Sequence, residues 1–272
     1  MSGALRIAIR KFEPFERAIQ KQYASFQAAT GCPLALEYTS LDLPPLYESL
    51  FTRQGLRDGT WDIAFVVTDW VAEAVQSQVL ADLSGMMRDA PIPDYPQGWS
   101  PELMHFQRFG ESIFGIPYHD GPECFIYRRD LFENAHEQTA FVQSFGYPLA
   151  VPRTWAQFYD IARFFTRPEQ DLYGTVFAGY PDGHNTVYDF CLQLWSRGGE
   201  LTDSSGIITL DTPQAREALD FYRHIVKDRT ATYPDPQTID SVKSGEIFAA
   251  GKAAMMVNWF GFAAVCEQPD CP

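Results

Sequence analysis

The feature that most restricts the fold of this chain is a change of hydrophobic period that recurs along it. Leu5, Ile7 and Ile9 in LRIAIR alternate at period two, the mark of a strand. Phe15, Ile19, Tyr23 and Phe26 then fall on one helical stripe that begins near Pro14 and stops at Gly31. A strand at PLALEY, an apolar helix near Pro45 to Leu56, a strand within WDIAFVV and a helix from about Asp69 repeat the theme. Strands that alternate with helices at short spacing imply α/β architecture with a parallel, doubly wound sheet.

The middle of the chain is punctuated differently. VLADLSGMM reads as a short buried segment with a turn, and Pro91, Pro93, Pro96 and Pro101 mark a surface connection. ESIFGIPYHDGPECFIYRRDLF carries two apolar runs broken by Gly115, Pro117, Gly121 and Pro122, which reads as a crossover between lobes. Beyond it, Thr154 caps a helix with Trp155, Phe158, Ile161, Ala162 and Phe165, and YGTVFAG forms a strand. Residues 185–197 read as helix up to Gly198-Gly199, and Thr212-Pro213 opens another helix. A last helix from about Thr238 to Ala250 precedes the strand KAAMMVNW, whose small apolar residues suit a strand covered by helices on both faces.

Composition removes whole classes of function. At 272 residues with 46% hydrophobic content the chain is globular, large enough for two lobes. Its 21 basic and 35 acidic residues give a net charge of -14, spread along the chain, which argues against nucleic acid as a partner. The opening MSGALRIAIRK lacks the pattern of a signal peptide and no stretch is apolar enough to span a bilayer, so the location is open between cytoplasm and a secreted chain written without its leader. Of the five cysteines, Cys32, Cys124 and Cys191 read as buried thiols, and Cys266 and Cys271 are close enough in sequence to close a small disulfide loop.

The sequence holds no G-x-S-x-G elbow, no phosphate loop, no G-x-G-x-x-G after a strand and no H-E-x-x-H, and nothing calls for a cofactor. His119-Asp120 and Asp182-Gly183-His184 could serve a metal or acid–base chemistry, but neither has ligand spacing. In open α/β sheets ligands sit beyond the carboxyl ends of strands. The residues there are Lys11, Phe12 and Glu13; Ser40 and Asp42; Thr68, Asp69 and Trp70; Tyr118, His119 and Asp120; Tyr180, Asp182, His184 and Asn185; and Asn258 and Trp259. Carboxylates, amides and aromatics together suit a polyhydroxylated ligand, because acceptors pair with hydroxyls while a ring packs on the apolar face of a sugar. Each has a plainer reading: Asp69 as a helix cap, Trp70 as core, Glu13 as a dipole partner.

WDIAFVVTDWVAEAVQSQVLADLS, IFGIPYHDGPECFIYRRDLF, VPRTWAQFYDIARFF and FAAGKAAMMVNWFG, in this order, resemble the family 1 extracellular solute-binding proteins, the sugar-capturing components of ABC importers. The resemblance implies a two-lobed periplasmic-binding-protein fold of type II, each lobe a mostly parallel sheet flanked by helices, that closes on its ligand by a hinge. The expected lobes are 1–116 with about 253–272, and 117–252, hinged near 115–120 and 251–258. Family members run on past this point, so the C-terminal part is expected to be incomplete. The resemblance places Trp259 as a stacking aromatic and Asp69-Trp70 at a ligand position, with the permease subunits of the importer as partners and the extracytoplasmic space as the location. The expected ligand set is Glu13, Asp42, Asp69, Trp70, His119, Asp120, Tyr180, Asn258 and Trp259 in a monomeric, non-enzymatic protein. Two alternatives stand beside it: a glycoside-cleaving enzyme with two carboxylates ~5–9 Å apart, and a metal binder using His119 and His184.

Overall fold

The computed structural model describes residues 3–119, 121–262 and 266; Asp120 and Cys271, both singled out above, lie outside these. The chain divides into two compact units, Met1–Asp120 and Gly121–Pro272.

The first unit is built as its period changes predict. Strand β1 (Ala4–Arg10) is followed by helix α1 (Glu13–Thr30), strand β2 (Ala35–Leu41), helix α2 (Leu43–Tyr47) and the short strand β3 (Ile63–Ala64). The strands are ordered β2-β1-β3 and all pair in parallel. Gly31 ends α1 in the left-handed conformation, with its N–H bonded to the carbonyl of Gln27, a geometry that glycine adopts without steric cost. The helix expected from Pro45 to Leu56 is shorter: α2 passes at Glu48 into a single π-turn that ends at Thr52. The third strand, at one edge of the sheet, keeps only Ile63 and Ala64 on the ladder. Ala8, Leu46 and Leu50 form the core here, with Trp61 and Trp70 packed against them. Helices α3 (Thr68–Gln76), α4 (Ser84–Asp89) and α5 (Pro101–Phe106) and the hairpin β4 (Arg108–Phe109) with β5 (Ser112–Ile113) complete the unit. Helix α4 buries none of its residues, contrary to the buried segment read there.

The second unit runs β6 (Glu123–Tyr127), α6 (Arg129–Phe132), α7 (Ala135–Phe145), α8 (Trp155–Phe165), β7 (Tyr173–Val176), α9 (Asn185–Trp195), α10 (Pro213–Lys227), α11 (Ser241–Ala249) and β8 (Ala253–Trp259). Its sheet has the order β6-β8-β7; β8 is antiparallel to β6 and parallel to β7. The sheet is therefore mixed, and its longest ladder is the antiparallel one. Sequence reading assigned 253–272 to the first lobe, whereas β8 is the central strand of the second unit. The reason is its five-residue register with β6, from Glu123↔Trp259 to Tyr127↔Met255.

Residues Ala253 to Met256 are fully buried, as a strand hydrogen-bonded on both edges and covered on both faces requires. The main core gathers Phe132, Phe141, Phe158, Phe165, Ile225 and Met255 around it. Thr154 caps its helix by accepting from the N–H of Gln157 and Thr212 from that of Ala215, whereas the last helix, expected from about Thr238, begins at Ser241, where Asp240 accepts from the N–H of Lys243.

Helix α8 lies so close on β7 that a Cβ on Gly174 would overlap the backbone of Ala162. Gly174→Ala is therefore expected to lower the unfolding free energy by about 1–3 kcal/mol or more, read from the urea midpoint; an unchanged midpoint would show that the contact is not close.

Candidate functional site

In the second unit the residues with ligand chemistry meet where β8 ends, β6 begins and α9 starts. Side chains on a strand alternate between faces, so Trp259 shares a face with Val257 and Met255, and Asn258 takes the opposite one. Asn258 is buried: its Nδ2 donates to the backbone carbonyl of Ser241 (3.0 Å) and to Oγ of Ser244 (2.9 Å), both on α11. Its Oδ1 accepts from the N–H of Trp259 at 2.8 Å. This amide ties β8 to α11, and the structure gives Asn258 a structural task.

Trp259 is half-buried and held from several directions. Its indole Nε1 donates to Oδ1 of Asn185 at 3.1 Å. The His184 ring lies near-parallel to it at 5.7 Å and 23°, and Tyr188 meets it edge-on at 5.1 Å. Asn185 is itself oriented by Asp182: Oδ2 of that carboxylate accepts from the Asn185 amide at 3.1 Å, while Oδ1 accepts from the N–H groups of His184 (2.8 Å) and Asn185 (3.2 Å). The start of α9 is thus capped by Asp182, and the same residue fixes the amide that fixes the indole. Tyr180, exposed, is near the start of this loop, with its N–H bonded to the carbonyl of Ile239.

Two further carboxyl groups flank the tryptophan. Glu123 is the Cα partner of Trp259 on the ladder, and burial pushes its carboxyl up to about 7, against the opposing charge of His184. Asp189, one turn into α9, is almost wholly buried and accepts a hydrogen bond from Tyr222 on α10 at 2.8 Å. Its carboxyl is pushed up to about 8, first by burial, then by the charge of Glu123. Burial also pushes the Tyr222 phenol well above its ordinary range. Sequence reading singled out neither Glu123 nor Tyr188 nor Asp189. Tyr188 and Asp189 were legible in principle as positions one turn into a helix read from 185, whereas Glu123 enters only through the β6–β8 register.

The first unit places its candidates less tightly. Trp70 packs edge-on against Tyr47 (5.2 Å) and Phe51 (6.1 Å) at the core, the plainer of its two readings. Asp69, in the first turn of α3, is exposed. Glu13, the first residue of α1, pairs with Arg17 at 3.1 Å, and Asp42 pairs with Arg10 (2.9 Å) and Lys11 (3.7 Å). His119 is exposed and meets Phe15 edge-on at 5.1 Å, in an aromatic group with Phe12, Phe65 and Tyr118. His119 and His184, the pair considered for a metal, belong to different units. Among the described residues no group of three or more histidine, cysteine, aspartate or glutamate side chains is arranged to hold a metal ion.

Comparison with known proteins agrees with this placement of the chain among binding proteins. The profile of the bacterial extracellular solute-binding proteins matches residues 10–268. A protein of Brucella abortus (strain 2308) described as a binding protein is 23% identical over 264 residues, which are 94% of this chain and 58% of that one. A solute-binding protein of an ABC transporter from Agrobacterium radiobacter K84, solved with ribitol, superposes with a TM-score of 0.82 at 21% identity over 99% of this chain and 63% of its own. One from Agrobacterium vitis S4, solved with D-mannitol, gives a TM-score of 0.82 at 18% identity over 99% and 61%. The chain thus spans about three fifths of the length of these relatives, and it shares their α/β periplasmic-binding-protein fold.

Two outcomes follow. Asn258→Ala takes one donor from the Ser244 hydroxyl and one from the Ser241 carbonyl, which keeps that of Ser244, and removes the Oδ1 acceptor of the Trp259 N–H; it is expected to cost about 1–3 kcal/mol of stability, measured by urea unfolding. Asp189 holds its proton in the folded state to higher pH than in the unfolded chain, so between about pH 4 and 8 the folded state binds more protons and loses stability as pH rises. Asp189→Asn is expected to flatten that fall, read from melting temperatures at pH 5 and pH 8; a fall equally steep in the variant would remove Asp189 as its source.

Proposed function

Because this chain belongs to the bacterial extracellular solute-binding protein family, we propose that it is the ligand-capturing component of an ABC importer. It takes a sugar or sugar alcohol against the face of Trp259 and presents it to permease subunits in the membrane, working outside the cytoplasm as a monomer. The observation that carries this reading is the fixed indole. Trp259 is held by Asn185, His184 and Tyr188 yet stays partly open to solvent, which suits a flat ring that packs on the C–H face of a sugar. Pre-organisation of this kind limits the ordering lost on binding.

Hydroxyl partners in the second unit are Glu123 and Tyr180, with Asn258 left to hold β8 on α11. In the first unit, taken by itself, Asp69 and His119 are exposed, and Glu13 and Asp42 are held in ion pairs. The relatives solved with ribitol and with D-mannitol support a small neutral polyol as the class to try first. No turnover is part of the proposal.

The test is a thermal-shift screen of ribitol, D-mannitol and maltose on the wild type and on Trp259→Ala. A ligand at 100 times its Kd adds about 2.7 kcal/mol, which at about 2–4 °C per kcal/mol for a large domain raises the melting temperature by about 5–10 °C. Wild-type stabilisation that is lost in Trp259→Ala is the expected result. Binding unaffected by the substitution would take Trp259 out of the site, and release of nitrophenol from an aryl glycoside would replace capture by hydrolysis.

A further inference from the structure

We infer that Glu123 sets the charge selectivity of the Trp259 face, so that the second unit accepts neutral and cationic polyhydroxylated molecules there and turns away anionic ones such as uronates and sugar phosphates. The inference rests on the reading of Trp259 as the ligand platform and adds a specificity-determining residue to it.

The ladder places the two residues together. Glu123 and Trp259 are directly opposed on antiparallel strands, so their side chains leave the sheet on the same face. Phe125 and Tyr127 continue that face into the dry core, which leaves Glu123 as its polar end. The groups that face this carboxyl come from each element around it. His184 at the N-cap of α9, Asp189 and Cys191 on that helix and Tyr222 on α10 act with it, Cys124 adjoins it on β6, and Asp182, in the loop before α9, acts on Tyr222. Of these only the His184 imidazole can carry positive charge, and among the described residues no lysine or arginine pairs with Glu123 or Asp189.

The partners divide the acids by role. Asp182 is used in capping α9 and Asp189 is held by Tyr222. Glu123 is the one whose position beside the ring leaves its oxygens for a ligand. Its carboxyl changes state near neutral pH. Protonated, it donates one hydrogen bond and accepts others; ionised, it accepts from ligand hydroxyls and attracts an ammonium. In neither state does it offer a counter-charge to an anion, and once ionised it repels one at short range. As pH rises from 5.5 to 8.5 the negative charge beside Trp259 grows, which favours cations and disfavours anions there.

Collisional quenching reads this without knowledge of the natural ligand. The Trp259 contribution is the difference between the wild type and Trp259→Phe, measured with caesium and with iodide at constant ionic strength. At pH 8.5 the caesium-to-iodide ratio, normalised to a free tryptophan amide, is expected to be about two-fold higher than at pH 5.5. In Glu123→Gln the rise is expected to be much smaller, with Asp189 the remaining acid that gains charge there, while the net charge of -14 for the whole chain changes by only one. A ratio that does not change with pH in the wild type, or that rises equally in Glu123→Gln, would overturn the inference. Should the variant not fold, Asp189→Asn decides: a rise kept in it is expected, and a rise lost with it would assign the charge to Asp189 and overturn the inference. A Glu123-dependent ratio in a protein that no polyol or sugar stabilises would keep the charge selectivity and discard the ligand reading; polyol binding with an unaltered ratio would do the reverse.

Discussion

The second unit depends on the hydrogen-bonding of one strand. β8 pairs with β6 on one edge and β7 on the other, and it is buried on both faces from Ala253 to Met256. A strand in this position has no freedom of register: a shift by one residue would put Met256 and Asn258 on the face that Met255 and Val257 now fill and would take the Asn258 amide from its partners on α11. Because the register is fixed, Trp259 always emerges at the same place, opposite Glu123 and next to the first turn of α9. The local chemistry follows from this. Asp182 caps the helix, Asn185 is oriented by Asp182, the indole is oriented by Asn185, and the rings of His184 and Tyr188 close around it.

Polar groups are brought under cover in the same region, and each has a stated partner or a stated cost. Asn258 spends its amide hydrogens on α11. Asp189 and Tyr222 satisfy each other, with the proton retained because ionisation in so dry a place is unfavourable. Glu123 bears the desolvation without an arginine or lysine to offset it, and a stability-only account would not place an acid there. A desolvated acid beside an aromatic ring is a candidate functional group on physical grounds.

Much of this was legible in the amino-acid sequence. The parallel first sheet, the caps at Thr154 and Thr212 and the strand at Ala253–Trp259 follow from hydrophobic period and capping chemistry, which act over a few residues. Alternation within a strand also separates Asn258 from Trp259: neighbours on a strand face opposite ways, so the two could not both meet one ligand on one face. What could not be read was long-range. The partner of β8 is β6, some 130 residues earlier in the chain, and no local pattern announces that pairing. Glu123 was therefore overlooked, and β8 was grouped with the wrong unit. Trp70 shows the converse limit, since a tryptophan after a strand is equally suited to ligand and to core, and here it packs against Tyr47 and Phe51 while staying partly exposed.

The central claim is that Trp259 meets the ligand. It is tested most directly by the indole N–H resonances of the six tryptophans, assigned by single substitution and followed while ribitol or D-mannitol is added. The Trp259 resonance is predicted to shift most and to saturate with the binding curve. A saturating shift confined to other indoles, with that of Trp259 unmoved, would contradict it.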